Sequence, residues 1–595
     1  MRLTLGFLLA LVTTAVLAPA AAAETGPIRA TAWVETGADL DHDGRPDRVA
    51  ADVVRPAGRE RVPVILDVSP YFACCGRGNE SQKKTFAPDG TPEQFPLFLD
   101  NYFVPRGYAV VLADVGGTNR SSGCFDDVAD GNAVVNWLNG RAKAFDAPDG
   151  GRPVTADWAT GDVGAIGKSQ DGATAIGMAA SGIPGLKTIV PIEGVADNYA
   201  QLVANGAPLA TPDNTGSAFT YNDRAARLCQ PFEADVKARM GTNGDYNAYW
   251  QSVNYVPQAG RVRASVLIAQ GFGDSVVGAD QFAAYWAALG RAGVPRQAWL
   301  SQAGHVDPFD LQRARWVDTL GRWFDRWLRG VRNGVEHEPA VHLETTPDRW
   351  TDVRAWPPAT AATTFRPAAN GTLGRRGAGT ATVVDDPAVG REQWAAGTSA
   401  ARFTGAPLTS AVRLAGTPSV TITASSDKPA ARLGVALVDY GPADVRNTAN
   451  YGSGIKTLTT RSCWDVSRPG DSACFLDTAT DLVHADHQIV AAGWADLGHH
   501  ASLRHGEPLV PGRAYPMTFT LSSLDHVVPA GHRLGLLLGG TDGQLFDPAL
   551  TVLGDTLTFD LARTSITLGL TQPEHQAHAA RTPARQSSPG TRKPS

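Results

Sequence analysis

Between residues 28 and 335 the chain alternates wholly apolar runs with longer stretches of helical period. The runs "VPVILDVSP", "YAVVLADVGG", "VGAIGKS", "KTIVPIEGV" and "ASVLIAQGFGD" each end at Gly, Pro, Ser, Val or Asp without polar alternation. Runs of that kind predict parallel strands buried on both faces. "GADQFAAYWAALGRAG" and "RARWVDTLGRWFDRWLRG" supply two of the helices that would cover them. Residues 197–260 break the rhythm, being rich in Asn, Tyr, Trp and Asp without a clear strand. That segment predicts a mostly helical cap over the C-terminal edge of the sheet. From Pro339 onward the pattern changes to short alternating runs such as "AVHLETT", "SVTITASS", "YPMTFTLSS", "HRLGLLLGG" and "DTLTFDLA". Alternation at this spacing, with Gly and Pro turns, predicts a β-sandwich or jelly roll over residues 336–572.

Both ends depart from these patterns. "MRLTLGFLLALVTTAVLAPAAAAETGP" has a positive Arg2, an apolar run from Leu3 to Leu17, and small residues at Ala21–Ala23. It reads as a signal peptide over residues 1–23, its apolar run being shorter than the roughly 20 residues that cross a bilayer. Secretion and no membrane span are therefore expected, with a catalytic-size domain over residues 24–335. The last stretch, residues 573–595, lacks large apolar side chains and is expected to be disordered.

Composition changes the picture in two places. A chain of 595 residues with net charge −6 exceeds a single core and gives no reason to expect a nucleic-acid surface. Six cysteines in an exported chain suggest disulfides. Cys463 and Cys474 flank a turn-rich loop that a bridge would close; the pairing of Cys74, Cys75, Cys124 and Cys229 is left open. No Cys or His spacing argues for zinc.

The chemistry starts at "VGAIGKSQDGATAIG". An apolar strand runs into Ser169 between Gly167 and Gly172, and a small-residue helix follows. A serine at such a strand-to-helix corner exposes its hydroxyl and aims the following N–H at a reacting carbonyl oxygen. The spacing is G-x-S-x-x-G, with Asp171 where the generic G-x-S-x-G motif has glycine. Downstream, Asp274 and His305 each follow an apolar run. Taken singly, Asp274 reads equally as a turn or helix-cap carboxylate and His305 as a structural histidine. The order Ser, Asp, His, each after a strand, is that of α/β-hydrolases. His305 would accept the Ser169 proton and Asp274 would hold its tautomer.

These motifs, together with "VSPYFACCG" and "FVPRGYAVVLADVGGTNRSSGCFD" upstream, resemble the Xaa-Pro dipeptidyl-peptidase and cocaine-esterase family of serine hydrolases. The resemblance covers roughly residues 28–335 and implies an α/β-hydrolase fold with a helical cap, followed by an all-β jelly-roll domain. It implies Ser169 as nucleophile, Asp274 as orienter and His305 as base. It also implies that Tyr71 and the backbone N–H of Gln170 form the oxyanion hole. The family often has Tyr where this chain has Gln170, which alters the pocket wall. No cofactor or metal is expected. The implied substrate is a peptide with proline at its second position, cleaved to release an X-Pro dipeptide. The alternative is a small acyl ester or amide, and a binding protein built on an inactive core is the reading from another class.

An aminopeptidase needs an anion for the substrate ammonium and an apolar slot for proline. Glu193, Asp197, Asp223 and Glu233 are candidates for the anion, and Tyr199, Tyr221 and Trp250 for the slot. In "DLDHDGRPDRVA", Asp39, Asp41, Asp43 and Asp47 match the start of a calcium loop, but Ala50 replaces its closing Glu. A polar turn is the favoured reading there.

Overall fold

The computed structural model describes residues 26–209, 220–449, 452–543 and 554–571. The expected signal peptide and C-terminal tail lie outside the described residues, as does part of the expected cap.

The wholly apolar runs form the middle of an eleven-stranded mixed sheet. Its strands are β1 (Ile28–Glu35), β2 (Arg48–Arg55), β3 (Val62–Ser69), β4 (Ala109–Asp114), β5 (Ala144–Phe145) and β6 (Ala159–Lys168). They continue with β7 (Leu186–Ile192), β8 (Ser265–Gly271), β9 (Arg296–Ser301), β10 (Val341–Thr346) and β11 (Arg349–Val353). The spatial order is β11-β10-β9-β8-β7-β6-β3-β4-β2-β1-β5. From β10 to β4 neighbours are parallel, and the remaining strands join antiparallel.

All eight residues of β3 are buried, because helices cover both faces. Its side chains divide by the two-residue period of a strand. Val64, Leu66 and Val68 join a core with α2 (Asp127–Leu138), α3 (Gln170–Ser181) and α8 (Ala279–Arg291). Ile65 faces the other way, onto α1 (Leu99–Phe103) and α9 (Arg313–Arg329). In α9 the residues Trp316, Leu320, Trp323 and Leu328 make the buried stripe, at helical spacing. The Trp323 indole donates to Thr188 Oγ1 at 2.7 Å, which satisfies its polar edge inside the core.

Between β7 and β8 lie the short helices α4 (Asn198–Leu202), α5 (Asp223–Leu228), α6 (Gln230–Met240) and α7 (Ala248–Ser252). Asp197, Asn222 and Asn247 cap three of them by accepting backbone N–H groups. The bridge Cys124–Cys229 ties this helical insertion to the loop after β4.

"AVHLETT" does not belong to the sandwich, as its alternation suggested. It is β10, which pairs in parallel with β9 and carries β11 beyond it. The hydrogen bonding of the first sheet thus runs past residue 335, to Val353. The sandwich begins after it, as a nine-stranded and a four-stranded sheet. Val420, Ile422, Phe519 and Ile566 from the first meet Leu433, Val435, Leu437, Leu536 and Leu538 from the second. The two halves lock through a buried ion pair, Arg446 Nη2 to Glu344 Oε1 at 2.5 Å. A hairpin of Ile455–Cys463 and Cys474–Thr480, closed by the Cys463–Cys474 bridge, reaches back to the first half. There Thr478 donates to the Asp310 carbonyl at 2.7 Å, and Leu476 N–H donates to Glu80 Oε2 at 2.8 Å.

Candidate active site

Strand β6 delivers the chain to Ser169, and α3 starts at the next residue. Ser169 sits at φ 64°, ψ −122°, a left-handed conformation that costs a non-glycine residue about 1–3 kcal/mol. Its surroundings enforce it. The Ser169 N–H donates to the Ile192 carbonyl at 2.9 Å. A Cβ on Gly167 would lie 2.3 Å from Asp171 Cβ, and one on Gly172 would lie 2.9 Å from the Ile192 oxygen. The G-x-S-x-x-G spacing therefore keeps glycine where backbones touch. Asp171, in the place of the generic glycine, is buried and meets the buried Arg77 at 2.6 Å. Burial pushes the Asp171 carboxyl up, and the guanidinium pulls it back. Arg77 also donates to the Lys168 carbonyl at 3.0 Å, bracing the strand end under the serine.

Tyr71 follows β3 across Pro70, and its phenol is placed near Ser169 and the Gln170 backbone, which draw its pKa down against burial. Burial raises the phenol's pKa, so it stays a protonated donor at neutral pH. The N–H groups of Cys75 and Gly76 both donate to the Tyr71 carbonyl, at 3.3 and 2.9 Å, and hold that turn. The Gln170 side chain points elsewhere: Nε2 donates to Asp127 Oδ2 at 2.7 Å, where Thr174 also donates at 2.6 Å. Gln170 thus offers the site its backbone.

His305 lies in the loop after β9, with Nδ1 2.7 Å from Asp274 Oδ2. Asp274, in the loop after β8, is locked by N–H bonds from Val276 and Val277 to Oδ1 at 2.8 and 2.9 Å. With Nδ1 engaged, Nε2 is left for proton transfer. Burial lowers the imidazole pKa and Asp274 opposes that shift. Strands β6, β7, β8 and β9 are consecutive neighbours, so Ser169, Glu193, Asp274 and His305 leave adjacent carboxyl ends. The Lys168 ammonium donates to the His305 carbonyl at 3.0 Å and links the first of these ends to the last.

Several residues offered as substrate anchors do other work. Glu193 is buried and lies 3.1 Å from His305 Nδ1, facing the imidazole. Asp197 caps α4 and accepts from Asn254 at 2.7 Å. Asp223 is exposed in the first turn of α5, on a separate cavity of about 860 Å³ shared with Trp33, Arg48 and Arg120. Glu233 accepts the Tyr221 hydroxyl at 2.6 Å. Tyr199 and Trp250 pack against each other in the core of the helical insertion. Their polar ends are met within the same helical unit, Tyr199 donating to the Gly244 carbonyl at 2.7 Å and Trp250 to the Met240 carbonyl at 3.1 Å.

In the Asp39–Asp47 loop the carboxylates of Asp39, Asp41 and Asp43 do converge. Arg224 bonds Asp41 and Asp43, and Asp47 accepts the Leu40 N–H at 2.7 Å with its pKa raised by burial to about 6. A guanidinium and backbone donors already serve this turn.

Arg77, Asp67, Asp307 and Lys168 were not singled out by any motif. They form a buried charged layer beneath the elbow, in which burial raises Asp67 to about 6 against the pull of Arg77 and Lys84. Charged residues flanking Ser169 in "GKSQDG", directly after an apolar strand, were the signal for it.

A strained serine elbow above a parallel sheet, with a carboxylate-bound histidine three strands along, defines an α/β-hydrolase of the serine class. The model of the X-Pro dipeptidyl-peptidase S15 family matches residues 43–307, and that of its C-terminal non-catalytic domain matches residues 333–588. A Streptomyces avermitilis protein named "Putative Xaa-Pro dipeptidyl-peptidase" is 48% identical over 90% of this chain and 82% of its own length. A Bacillus anthracis protein of the same name is 31% identical over 86% and 83%. Among solved structures, an α-amino acid ester hydrolase superposes with TM-score 0.62 at 17% identity, covering 94% of this chain and 100% of that one. A CocE/NonD family hydrolase from Staphylococcus aureus gives 0.64 at 14%, covering 92% and 97%. The chain belongs to the X-Pro dipeptidyl-peptidase family S15.

Proposed function

We propose that this protein is a secreted serine dipeptidyl-peptidase that releases N-terminal X-Pro dipeptides through an acyl-enzyme. The observation that carries the proposal is a His305 bound to Asp274 at 2.7 Å at the same carboxyl end of the sheet as a left-handed Ser169, with Tyr71 near it. Membership of the S15 family supports the X-Pro preference, and the apolar leader at residues 1–23 supports secretion.

Ser169 Oγ attacks the carbonyl carbon of the proline residue while His305 Nε2 takes its proton. The Tyr71 hydroxyl and the Gln170 N–H receive the oxyanion, which is where such donors act most strongly. His305 returns the proton to the leaving amine, and Asp274 offsets the imidazolium charge between the two transfers. Water then repeats the sequence on the acyl-enzyme and frees the dipeptide.

Ala-Pro and Gly-Pro chromogenic amides, their N-acetylated forms and simple acyl esters separate the readings. The expected outcome is cleavage of the free-amine X-Pro amides with loss of rate on acetylation. Ester turnover without X-Pro cleavage would replace the proposal with an esterase.

A further inference from the structure

Glu193 is the second carboxylate on the imidazole. It stands just after β7, between the ends of β6 and β8, at a left-handed φ of 48°. It is 1% exposed. Oε1 accepts the Val306 N–H at 2.9 Å, from the residue after His305. Oε2 lies 3.1 Å from His305 Nδ1, and Glu193, Asp274 and His305 offer atoms all within 4.8 Å of one another. Nδ1 carries a single hydrogen and already has the shorter contact with Asp274 at 2.7 Å. Two ionised carboxylates sharing that one hydrogen without solvent would repel, so the pair retains one proton.

We propose that Glu193 holds that proton and acts as a positioning residue, setting a neutral carboxyl against the Asp274–His305 pair while gripping the backbone beside His305. The inference rests on the reading of Ser169, His305 and Asp274 as the catalytic set. The allocation of the proton follows from the partners. Asp274 faces the imidazole and two backbone N–H donors, whereas Glu193 has one N–H donor and a carboxylate beside it. Burial and the Asp274 charge both raise the Glu193 carboxyl well above the usual range. The charged and titratable groups facing it are Asp274 after β8, His305 and Asp307 after β9, and Lys168 at the end of β6. A neutral acid here leaves one negative charge for the imidazolium formed in turnover. It also ties the β7, β8 and β9 loops through a single side chain.

The test compares Glu193→Gln with Glu193→Ala in the full-length protein, using whichever amide or ester substrate the wild type turns over. A neutral amide keeps the Val306 hydrogen bond and the neutral charge, so Glu193→Gln should stay within roughly threefold of wild-type kcat. Its acid limb should not move. Glu193→Ala should lose about 100-fold in kcat with KM nearly unchanged, the cost of a misplacement of about 1 Å. If Glu193 were ionised, removing its charge would lower the acid limb of Glu193→Gln by a unit or more, and that result overturns the proposal. Wild-type kcat in Glu193→Ala overturns it as well. Infrared difference spectroscopy between wild type and Glu193→Gln reads the proton without catalysis. A protonated carboxyl band present in the first and absent in the second is expected, and a carboxylate band in its place refutes the assignment. Fluorophosphonate labelling of wild type, blocked by Ser169→Ala, shows separately whether the catalytic set itself stands.

Discussion

The carboxyl end of the first sheet and the sandwich behind it are built from equally apolar strands, yet they carry polar groups in opposite ways. In the sandwich the strand Tyr515–Thr520 alternates buried and exposed residues, and its outward threonines simply meet water or each other. One buried charge there has a dedicated partner, Arg413 bonding Asp525 at 2.8 Å on both oxygens. At the sheet end Asp67, Asp171, Asp307, Glu193 and Asp274 crowd below one serine, with Arg77 and Lys168 among them. Burial on both faces makes that possible, because parallel strands under helices leave their ends as the one place where polar loops can gather. It also makes each of those groups costly, and so sensitive to its neighbours. The sandwich is a stability element, whereas the sheet end holds strain and uncompensated polarity for chemistry.

That contrast can be broken most directly at the serine. Ser169→Ala should reduce kcat by about 10⁶-fold and abolish fluorophosphonate labelling while leaving the melting temperature unchanged or higher. Asp274→Asn should cost about 10⁴-fold in kcat, through loss of the productive tautomer, with the fold intact by circular dichroism. Tyr71→Phe should cost about 10²- to 10³-fold in kcat with little change in KM, which steady-state kinetics on one amide reads. The pH profile sharpens the picture further. Neutral His305 is the active form, and burial lowers its pKa, so the acid limb of kcat/KM should fall below the ordinary histidine value of about 6.5. A limb above that value would mean that the carboxylates outweigh burial. In the sandwich, Leu536→Ala, at a fully buried position, should destabilise by about 2–5 kcal/mol in chemical denaturation and leave kcat unaltered. Thr518→Ala, on the exposed face, should shift stability by no more than about 0.5 kcal/mol.

Comparing the two regions also shows what could be read in advance. Unbroken apolar runs announced the parallel strands, and alternation announced the sandwich, because strand period and burial are local properties of a segment. The border between them was misplaced at β10, whose alternating "AVHLETT" pairs with β9 all the same. Pairing depends on which edge is free in space: β10 adds to β9, and β11 becomes the edge beyond it. Of the cap aromatics offered for a proline slot, with packing as their usual role, Tyr199 and Trp250 pack in the core of the helical insertion.

The positions of Ser169, Asp274 and His305 at the carboxyl end of the sheet were legible because each directly follows an apolar strand. Glu193, Arg77 and Asp67 were not legible as a network, since each lies in a different segment with no motif of its own. What the amino-acid order determined by itself was therefore the kind of element each stretch forms and the strained serine at one corner. Tertiary structure alone decided which charges share a buried layer, which carboxylate faces the imidazole and which faces a cap. Those outcomes depend on distances between segments up to hundreds of residues apart, and electrostatic cost is set by such distances and by the exclusion of water.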